Sequence, residues 1–242
     1  MKLDKYVISR NEIKYKLTYQ QFCLVYKQVQ LHLPEDEYGE TAIQSLYYDT
    51  SNFLLIRNSL EKPTYKEKIR ARSYGLASPD KKVFLELKKK CNGVVFKRRI
   101  SLKEKELNSF IEDENYKNQT QIEREIKYFC YLYKGLKPSM LLIYDRIAYH
   151  DTELDLRVTF DKNIRYRTTE LDLCSGLHGD LILPQGEVMM EIKTGGAYPR
   201  WLIDLLNDNK IYKTSFSKYG QAYKLEELKK QADKENQTRE AV

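Results

Sequence analysis

Tyr65-Lys66-Glu67-Lys68-Ile69-Arg70-Ala71-Arg72-Ser73-Tyr74 is a stretch in which every second residue from 66 to 72 is a cation. Alternate residues of a β-strand point to the same face, roughly 6.6–7 Å apart along it. The stretch therefore predicts a strand with one cationic face. The next stretch, Val83–Lys88, behaves alike: Phe84, Glu86 and Lys88 share one face, and Val83, Leu85 and Leu87 share the other. Unpaired charge is costly in a dry interior, so this sheet predicts a wet, basic channel.

About eight strands are predicted along the chain, most of them joined by short turns or helices. Residues 64–74 and 82–90 are predicted to form an antiparallel hairpin, and residues 93–101 to form another strand. Antiparallel strands of this number can close into a barrel, which removes the exposed edges. The interior of such a barrel has room for side chains and one slim ligand. The predicted fold class is therefore α+β, an antiparallel barrel tunnel of about eight strands with flanking helices, and a charged interior favours an extended anion.

The other predicted elements come from apolar alternation and from helix-capping signals. Capping boxes are expected at Thr18 with Gln21, Ser101 with Glu104, and Thr120 with Glu123. These begin helices to about Leu33, Glu114 and Lys134. Further strands are predicted at residues 6–16, 43–49, 140–149, 154–161, 164–168 and 186–194. A short helix or turn is predicted at residues 52–58, and helices are predicted from Pro199 and from about Ser217. A polar tail from about Leu228 is expected to fray.

The composition is that of a globular protein with a basic balance. The chain has 242 residues and a formal net charge of +7, which favours a polyanionic partner. We expect one domain over residues 1–242, without a signal segment and without an apolar run of the ~20 residues that a membrane span needs. Four scattered cysteines are interpreted as reduced thiols, so a cytoplasmic location is expected. Three isolated histidines make a histidine-based site improbable.

Several signatures of other enzyme classes are absent from the sequence. It contains no GxxxxGK[ST], no GxGxxG and no GxSxG, which argues against P-loop enzymes, dinucleotide folds and serine hydrolases. The 20 tyrosines could stack on bases, as in single-strand binders. Tyrosines are more often wall residues whose hydroxyls reach water, so nucleic acid is not the expected partner.

Three acid-x-base pairs lie on predicted strands and place both charges on one face: Glu12 with Lys14, Glu86 with Lys88, and Glu191 with Lys193. Carboxylates in a basic channel can hold Mg²⁺ or Mn²⁺ together with substrate phosphates. The alternative is cross-strand salt bridging. The cations suited to hold phosphates come from separate segments that a barrel would bring together: Arg57, Arg70, Arg72, Lys88, Arg146 and Arg157. For each of these, the alternative is a solvated surface cation.

Short segments, taken in their order along nearly the whole chain, resemble the catalytic domain of the vacuolar transporter chaperone (VTC) polyphosphate polymerases. This family lies in the triphosphate tunnel metalloenzyme (CYTH-like) superfamily. The matching segments are Glu12–Tyr15, Ser45–Asp49, Ile69–Gly75, Phe84–Lys88, Tyr144–Tyr149, Leu156–Asp161, Met190–Lys193 and Ser215–Gly220. The resemblance implies an eight-stranded antiparallel tunnel that binds triphosphate and uses Mn²⁺ or Mg²⁺.

Carried over by position, the resemblance implies a set of phosphate-binding residues: Lys14, Arg57, Arg70, Arg72, Lys88, Arg146, Arg157, Ser217 and Lys218. All of these except Arg57 and Ser217 are also predicted to be catalytic. Glu191 is the implied metal ligand, and Glu12 and Glu86 are further candidates. Arg57 matches only loosely. Arg10 stands where related triphosphatases have a first glutamate, which favours the polymerases over the hydrolases.

The predicted function is transfer of the γ-phosphoryl group of a nucleoside triphosphate, taken to be ATP, to a growing polyphosphate chain. Two alternatives stay open: a tripolyphosphatase or nucleoside triphosphatase on the same fold, and a module that only binds polyphosphate. Binding of nucleic acid by an outer surface is less favoured. We expect neither the regulatory domain nor the membrane helices of the eukaryotic polymerases in this chain, which leaves open a separate membrane partner. The oligomeric state is not predicted.

Overall fold

The computed structural model describes residues 11–113, 116–117 and 120–240. The strands of this part of the chain are β1 Asn11–Leu17, β2 Thr41–Asp49, β3 Tyr65–Tyr74, β4 Lys82–Cys91, β5 Val94–Lys103, β6 Lys137–Asp151, β7 Leu156–Arg167, β8 Asp180–Leu181, β9 Val188–Thr194 and β10 Lys213–Thr214. The helices are α1 Tyr19–His32, α2 Leu54–Leu60, α3 Leu107–Glu112, α4 Gln121–Leu132, α5 Arg200–Asp208 and α6 Lys218–Glu240.

The chain divides into two compact units whose segments alternate along the sequence. Unit 1 takes the chain up to Thr41, then Tyr144–Ile164 and Leu183–Phe216. Unit 2 takes Ala42–Ile143, Arg165–Ile182 and the chain from Ser217 onward. The long strands β6 and β7 each contribute residues to both units.

Unit 1 contains strands in the order β10-β1-β9-β7-β6, and the β1–β9 and β7–β9 ladders are antiparallel. One face of this sheet is apolar because the apolar residues of β1, β7 and β9 alternate with charged ones. That face packs against α1 through Val25 and Val29 and against α5 through Leu202 and Leu206. Burial of these side chains, at roughly 25 cal/mol per Å² of apolar surface, holds the helices on the sheet and leaves its other face for charged groups.

Unit 2 contains strands in the order β6-β2-β3-β4-β5, with β8 beside the last residues of β7. The apolar face of β3 and β4 packs against α3 and α4, where Phe110, Ile126 and Phe129 are buried. A second cluster joins α2 to α6 and includes Ile56 and Tyr219. All registered ladders in this part of the chain are antiparallel. The predicted antiparallel α+β fold with flanking helices is confirmed.

The edge strands of the two units bear on the predicted closure into a barrel. Among the described residues of unit 1, β10 pairs on one side only, with β1, and in the same part of unit 2, β5 pairs only with β4. Closure into a tunnel, and the single domain over the whole chain, stay predictions.

Two of the three predicted capping boxes are confirmed. The side chain of Thr18 accepts a hydrogen bond from the amide of Gln21 at the start of α1, and Thr120 does the same with Glu123 at α4. The box at Ser101 is wrong, because Ser101 stays in β5, opposite Phe84. A short 3-10 turn over Glu104–Glu106 precedes α3 instead. The predicted end of that helix at residue 114 lies outside the described residues.

Other predicted boundaries of strands and helices differ from the observed ones, because the local alternation of apolar and polar residues does not show where an element ends. The two strands predicted at 154–161 and 164–168 form one strand, β7, which passes through Asn163 at a positive φ of 48°. α6 runs to Glu240, well past Leu228, where a frayed tail was expected. Polar side chains that face water need no packing partner, so the polar composition of α6 is compatible with a helix. Residues 6–10 of the first predicted strand lie outside the described residues.

Candidate functional site

Each unit carries one sheet face that is lined with charged side chains. In unit 2 this face is formed by β2 to β5, because the register places Arg70 opposite Tyr47 on one side and opposite Glu86 on the other. Glu86 in turn lies opposite Arg99. Residues opposite one another in adjacent strands share a face, so Tyr47, Arg70, Glu86 and Arg99 form a cross-strand row. The neighbouring residues of that face are also largely cationic.

Glu86 is the centre of a cluster of charges that we call the Glu86 hub. Nε and Nη2 of Arg70 both lie 2.9 Å from Oε2 of Glu86. Nζ of Lys97 lies 2.7 Å from Oε1, and Arg99 donates to the same oxygen from Nε at 2.7 Å. Nε of Arg72 lies 3.9 Å from Oε2. Both carboxylate oxygens therefore hold cations in place. Charge-assisted hydrogen bonds of this kind are stronger than bonds between neutral groups.

The hub keeps a positive charge even though its carboxylate is ionised. The side chain of Glu86 is only 2% exposed. Burial by itself would raise its pKa, but the charges of Arg72 and Arg70 outweigh burial and hold the pKa well below its ordinary range. Burial lowers the pKa of Lys97, although Glu86 opposes this. Four cations around one carboxylate leave a fixed positive field, and such a field suits an anionic ligand.

Tyr47 extends the hub toward the start of α6. Its hydroxyl accepts a hydrogen bond of 2.9 Å from Nη1 of Arg70. Burial would raise the pKa of Tyr47, but the charges of Arg70, Arg72 and Lys218 lower it. The ring of Tyr47 stacks on that of Tyr219, with centroids 4.3 Å apart. Lys218, predicted as a phosphate ligand, therefore acts electrostatically on the same group of residues as Arg70.

The start of α6 is anchored by buried polar contacts. Oγ of Ser217 accepts hydrogen bonds from Nζ of Lys68 at 3.3 Å and from the amide of Gly220 at 3.2 Å. The hydroxyl of Tyr219 donates to the buried carboxylate of Asp49 at 2.8 Å. Asp49 also accepts from the amides of Leu55 and Ile56 in α2. These contacts fix Ser217 and Lys218 relative to β2 and β3.

Arg57, which was predicted to bind phosphate, lies apart from the other predicted residues of unit 2. It lies exposed in the last turn of α2, and its Nη1 donates to the carbonyl of Asn52 at 3.3 Å. This contact is local to the helix, so the described contacts do not join Arg57 to the Glu86 hub.

In unit 1, two Glu-x-Lys pairs face one another across β1 and β9. Glu12 lies opposite Lys193, and Lys14 lies opposite Glu191. Nζ of Lys14 is 3.3 Å from Glu12 and 3.8 Å from Glu191. Nζ of Lys193 is 3.7 Å from Glu12 and 2.7 Å from Glu191. Each lysine therefore contacts both carboxylates, and we call this set the four-charge ring.

The carboxylate of Glu191 is held in the ionised form. Burial would raise the pKa of Glu191, but the charges of Lys193 and Lys14 outweigh it and lower that pKa to about 2. Arg146 also contributes to this lowering. Nζ of Lys14 donates further to the carbonyl of Phe216 at 3.2 Å, so the ring is tied to the segment that leads into α6. An ionised, accessible carboxylate beside lysines suits binding of both cations and phosphates.

Arg146 and Arg157 are each held by one aspartate. Arg146 makes a bidentate contact with Asp161, with Nε and Nη2 at 2.6 and 2.9 Å from the two carboxylate oxygens. Burial would lower the pKa of Arg146, but Asp161 outweighs burial and raises it. Nη2 of Arg157 lies 2.7 Å from Asp36. Arg157 also lies opposite Lys193 in the β7–β9 register, so it shares a sheet face with the four-charge ring.

The structure thus brings the predicted residues together in two groups. Unit 2 holds Arg70, Arg72, Glu86, Lys88, Ser217 and Lys218, and unit 1 holds Glu12, Lys14, Arg146, Arg157 and Glu191. Sequence reasoning missed several members of these groups, which are Tyr47, Lys97, Arg99, Asp36 and Asp161, and it named Lys193 only as the partner of Glu191. For Lys97 and Arg99 a signal was present, since they alternate on one face of the strand after Gly93. Nothing in the sequence pairs Asp36 with Arg157, 121 positions away.

The fit of a divalent cation differs between the two groups. Within the described ranges, no three or more histidine, cysteine, aspartate or glutamate side chains are arranged to hold a metal. Magnesium and manganese at phosphate sites need only one or two carboxylates, because substrate phosphates complete the coordination. Glu12 and Glu191 fit this requirement. Glu86 as a metal ligand stays a prediction, and its four cationic neighbours oppose a further cation.

Comparison with known proteins gives matches in sequence and in fold. The sequence model of the VTC domain family matches residues 9–226. The vacuolar transporter chaperone complex subunit 4 of Trypanosoma cruzi is 30% identical over 139 residues, which are 45% of this chain and 17% of that protein. This chain therefore spans well under two thirds of the length of that relative.

Solved structures add a likeness in fold. A proposed adenylate cyclase from Bacillus halodurans is 12% identical, with a TM-score of 0.53 over 85% of this chain and 92% of that one. A protein of Pyrococcus horikoshii is also 12% identical, with a TM-score of 0.46 over 90% and 99% of the two chains. The first likeness shows a shared fold, and nothing further is drawn from the second. Among the helices of the described residues, none is both long and apolar enough for a membrane span.

Proposed function

The chain belongs to the VTC domain family, and on that premise we propose that it is a metal-dependent polyphosphate polymerase that transfers the γ-phosphoryl group of ATP to a growing polyphosphate chain. Membership confirms the resemblance found in the sequence and, with the fold likeness, the triphosphate tunnel metalloenzyme class of fold. The single observation that carries the proposal is the Glu86 hub, where a buried carboxylate holds four cations on one sheet face.

The hub suits phosphoryl transfer because this reaction needs positioning and charge neutralisation more than covalent help. Arg70 and Arg99 are oriented before any ligand arrives, since Glu86 accepts hydrogen bonds from their guanidinium groups, and Nε of Arg72 lies 3.9 Å from the same carboxylate. Preorganised donors of this kind stabilise developing charge without the cost of reorganisation. Their task in the proposed reaction is to bind the nonbridging oxygens of the triphosphate.

We propose that the four-charge ring holds the metal ion and contacts phosphate groups of the substrate. Glu191 and Glu12 would hold a bound Mn²⁺ or Mg²⁺, which would supply charge neutralisation for the phosphates. Lys14 and Lys193 contact both carboxylates, so they place two further positive charges beside the same site. The attacking terminal phosphate is already anionic, so the reaction requires no general base.

A hydrolase on the same fold is the main competing proposal. In a hydrolase, water attacks, and a carboxylate such as Glu12 or Glu86 has to orient it. The low pKa of Glu86 and its four cationic partners make it a weak acceptor for a proton. This supports the polymerase over a hydrolase that uses Glu86, while Glu12 remains available for that role.

Purified protein with ATP and Mn²⁺ separates the candidates. Acid-stable long chains seen on a gel support the polymerase, orthophosphate alone supports the hydrolase, and tight binding without turnover supports a binding module. The double variant Arg70→Ala/Arg72→Ala should lose turnover. A matched control is Lys103→Ala/Lys105→Ala, because both lysines lie on the surface of the same unit and contact Asp80. Equal loss in both variants would contradict the proposed site.

We propose further that the chain works with partner proteins in the cytoplasm, including a separate membrane protein. The support is the name of the Trypanosoma cruzi relative, which is that of a complex subunit. Chemical crosslinking in cells followed by mass spectrometry tests this. Recovery of the chain as a monomer without crosslinks to any membrane protein would contradict it.

A further inference from the structure

An acidic segment of unit 1, at residues 34–40, lies beside the end of β6. It joins α1 to β2 and contains Glu35, Asp36, Glu37 and Glu40. The amide of Asp36 donates to the carbonyl of Ala148 at 2.8 Å. The amide of His150 donates in the other direction, to the carbonyl of Pro34 at 3.0 Å. These backbone bonds fix the segment to β6.

The side chain of Asp36 lies at the charged face of unit 1. Glu35 pairs with Tyr149, whose ring is buried in the apolar cluster on the other face. Because successive residues of an extended segment point to opposite faces, Asp36 lies on the charged side. There its Oδ2 is 2.7 Å from Nη2 of Arg157. The amide of Tyr38 donates to Oδ1 of Asp36 at 3.4 Å, so the turn that follows holds this carboxylate.

Arg157 is held less firmly than Arg146. Among the described residues, one hydrogen bond joins Arg157 to Asp36, and the side chain of Arg157 is 39% exposed. Arg146 instead makes two bonds to the buried Asp161. An exposed ion pair contributes little free energy, and a guanidinium has five N–H donors to offer. The pair of Arg157 with Asp36 can therefore open when a stronger anionic partner arrives.

We infer that Asp36 is an internal competitor for phosphate at Arg157. The inference rests on the proposed function, in which Arg157 binds phosphate, and it adds a residue that the substrate displaces. Carboxylate and phosphate oxygens accept the same hydrogen bonds from a guanidinium, and a terminal phosphate carries more negative charge than a carboxylate. Glu86 differs from Asp36, because it is buried among four cations of neighbouring strands and stays in place.

A double-mutant cycle tests the inference by titration calorimetry with tripolyphosphate in the absence of metal. The variants are Asp36→Asn, Arg157→Ala and the double variant. We expect Asp36→Asn to bind about threefold to fivefold more tightly, because no ion pair has to be opened. In the Arg157→Ala background, the same change should alter the affinity by less than about twofold. Under turnover, Asp36→Asn should lower the KM for ATP with kcat unchanged, since the pair is already open in the bound complex.

The matched control is Glu40→Gln, which removes one negative charge from the same segment. Glu40 contacts Lys162 at 2.8 Å, so its replacement should leave the affinity for tripolyphosphate at the wild-type value. An equal gain in Glu40→Gln and Asp36→Asn would overturn the inference, because it would reflect net charge alone. An equal gain from Asp36→Asn with and without Arg157 would overturn it for the same reason.

Two other results bear on the role of Asp36 and on the proposed function. Weaker binding or a lower kcat in Asp36→Asn would overturn the inference, because it would show that Asp36 positions Arg157 for the substrate. Polymer formation by the wild-type protein would then still support the proposed function. If the wild-type protein neither binds tripolyphosphate nor turns over ATP, the proposed function fails and the inference fails with it.

Discussion

Arg70 and Glu86 lie directly opposite one another in the β3–β4 register, and both Nε and Nη2 of Arg70 are 2.9 Å from the same carboxylate oxygen. The pair is mostly shielded from water, with side-chain exposures of 24% and 2%. Because Lys97 and Arg99 use the other carboxylate oxygen, Glu86 holds cations from two neighbouring strands. One glutamate therefore organises the arginines that we propose to bind phosphate.

Replacement of this glutamate should separate stability from anion binding. In Glu86→Gln the four cations lose their shared counter-charge, and breaking a buried ion pair in this way costs about 3–5 kcal/mol. We expect a fall of that size in the free energy of unfolding, measured in urea. Tripolyphosphate should bind more tightly to the folded variant, because its field is more positive.

The control for this change is Glu125→Gln in the same unit. Glu125 contacts Arg98 at 2.6 Å, but both side chains are about one third exposed. An exposed pair contributes about 0–1 kcal/mol, so this variant should be nearly as stable as the wild type. Weaker anion binding by Glu86→Gln would contradict this prediction and would show that positioning of the arginines by Glu86 outweighs the gain in positive charge.

The low pKa of Glu191 gives stability that depends on pH. Its pKa lies at about 2 in the folded protein against an ordinary value of 4.5. A depressed carboxyl pKa stabilises the fold above the unfolded-state value, and this contribution is lost as pH falls from about 4.5 to about 2. We expect Glu191→Gln to reduce stability at neutral pH by on the order of 1–3 kcal/mol and to flatten its acid dependence.

Unfolding in urea at a series of pH values measures this difference. Glu187→Gln is the control, since Glu187 also contacts a lysine of β1, Lys16, at 3.3 Å, where the lysine is half exposed. Its loss of stability at neutral pH should be smaller than that of Glu191→Gln, because contacts with exposed lysines contribute little. A Glu191→Gln profile parallel to the wild type would contradict the assignment. In activity assays, the same variant should weaken metal dependence more than nucleotide binding without metal.

The two aspartates that hold predicted phosphate ligands should differ in their effect on stability. Asp161 and Arg146 are 1% and 19% exposed and share two bonds, whereas Asp36 and Arg157 are 13% and 39% exposed and share one. We expect Asp161→Asn to cost about 3–5 kcal/mol, and Asp36→Asn under about 1 kcal/mol. Urea unfolding of both variants checks this, and similar costs would mean that burial does not set the strength of these pairs.

The hydroxyl of Tyr219 should contribute to the anchoring of α6. It donates to Asp49 at 2.8 Å and lies 2.9 Å from the hydroxyl of Ser139, in a buried site. Tyr219→Phe leaves the carboxylate of Asp49 with one donor fewer, which should cost about 1–3 kcal/mol. Tyr212→Phe is the matched control, because Tyr212 is 76% exposed. Equal melting temperatures for the two variants would contradict the anchoring role.

Much of the secondary structure was predictable because its signals are local. The strand at Tyr65–Tyr74 and the capping boxes at Thr18 and Thr120 were read from residues within a few positions of each other. Ser101 carried the same local signal but remained in β5, since ladder pairing with Phe84 competes with helix initiation. The end of α6 was misjudged because a polar helix does not show the apolar stripe that marks a buried one.

The sequence by itself determined which side chains share a face, because alternation along a strand is a property of the strand alone. It could not determine which charges meet. The contacts of Glu86 with Lys97 and Arg99 depend on the register of β4 and β5, and that of Arg146 with Asp161 on the arrangement of β6 and β7. Register is set by the packing of whole apolar faces against helices. For this reason only the tertiary structure decided that the arginines would be held by buried carboxylates.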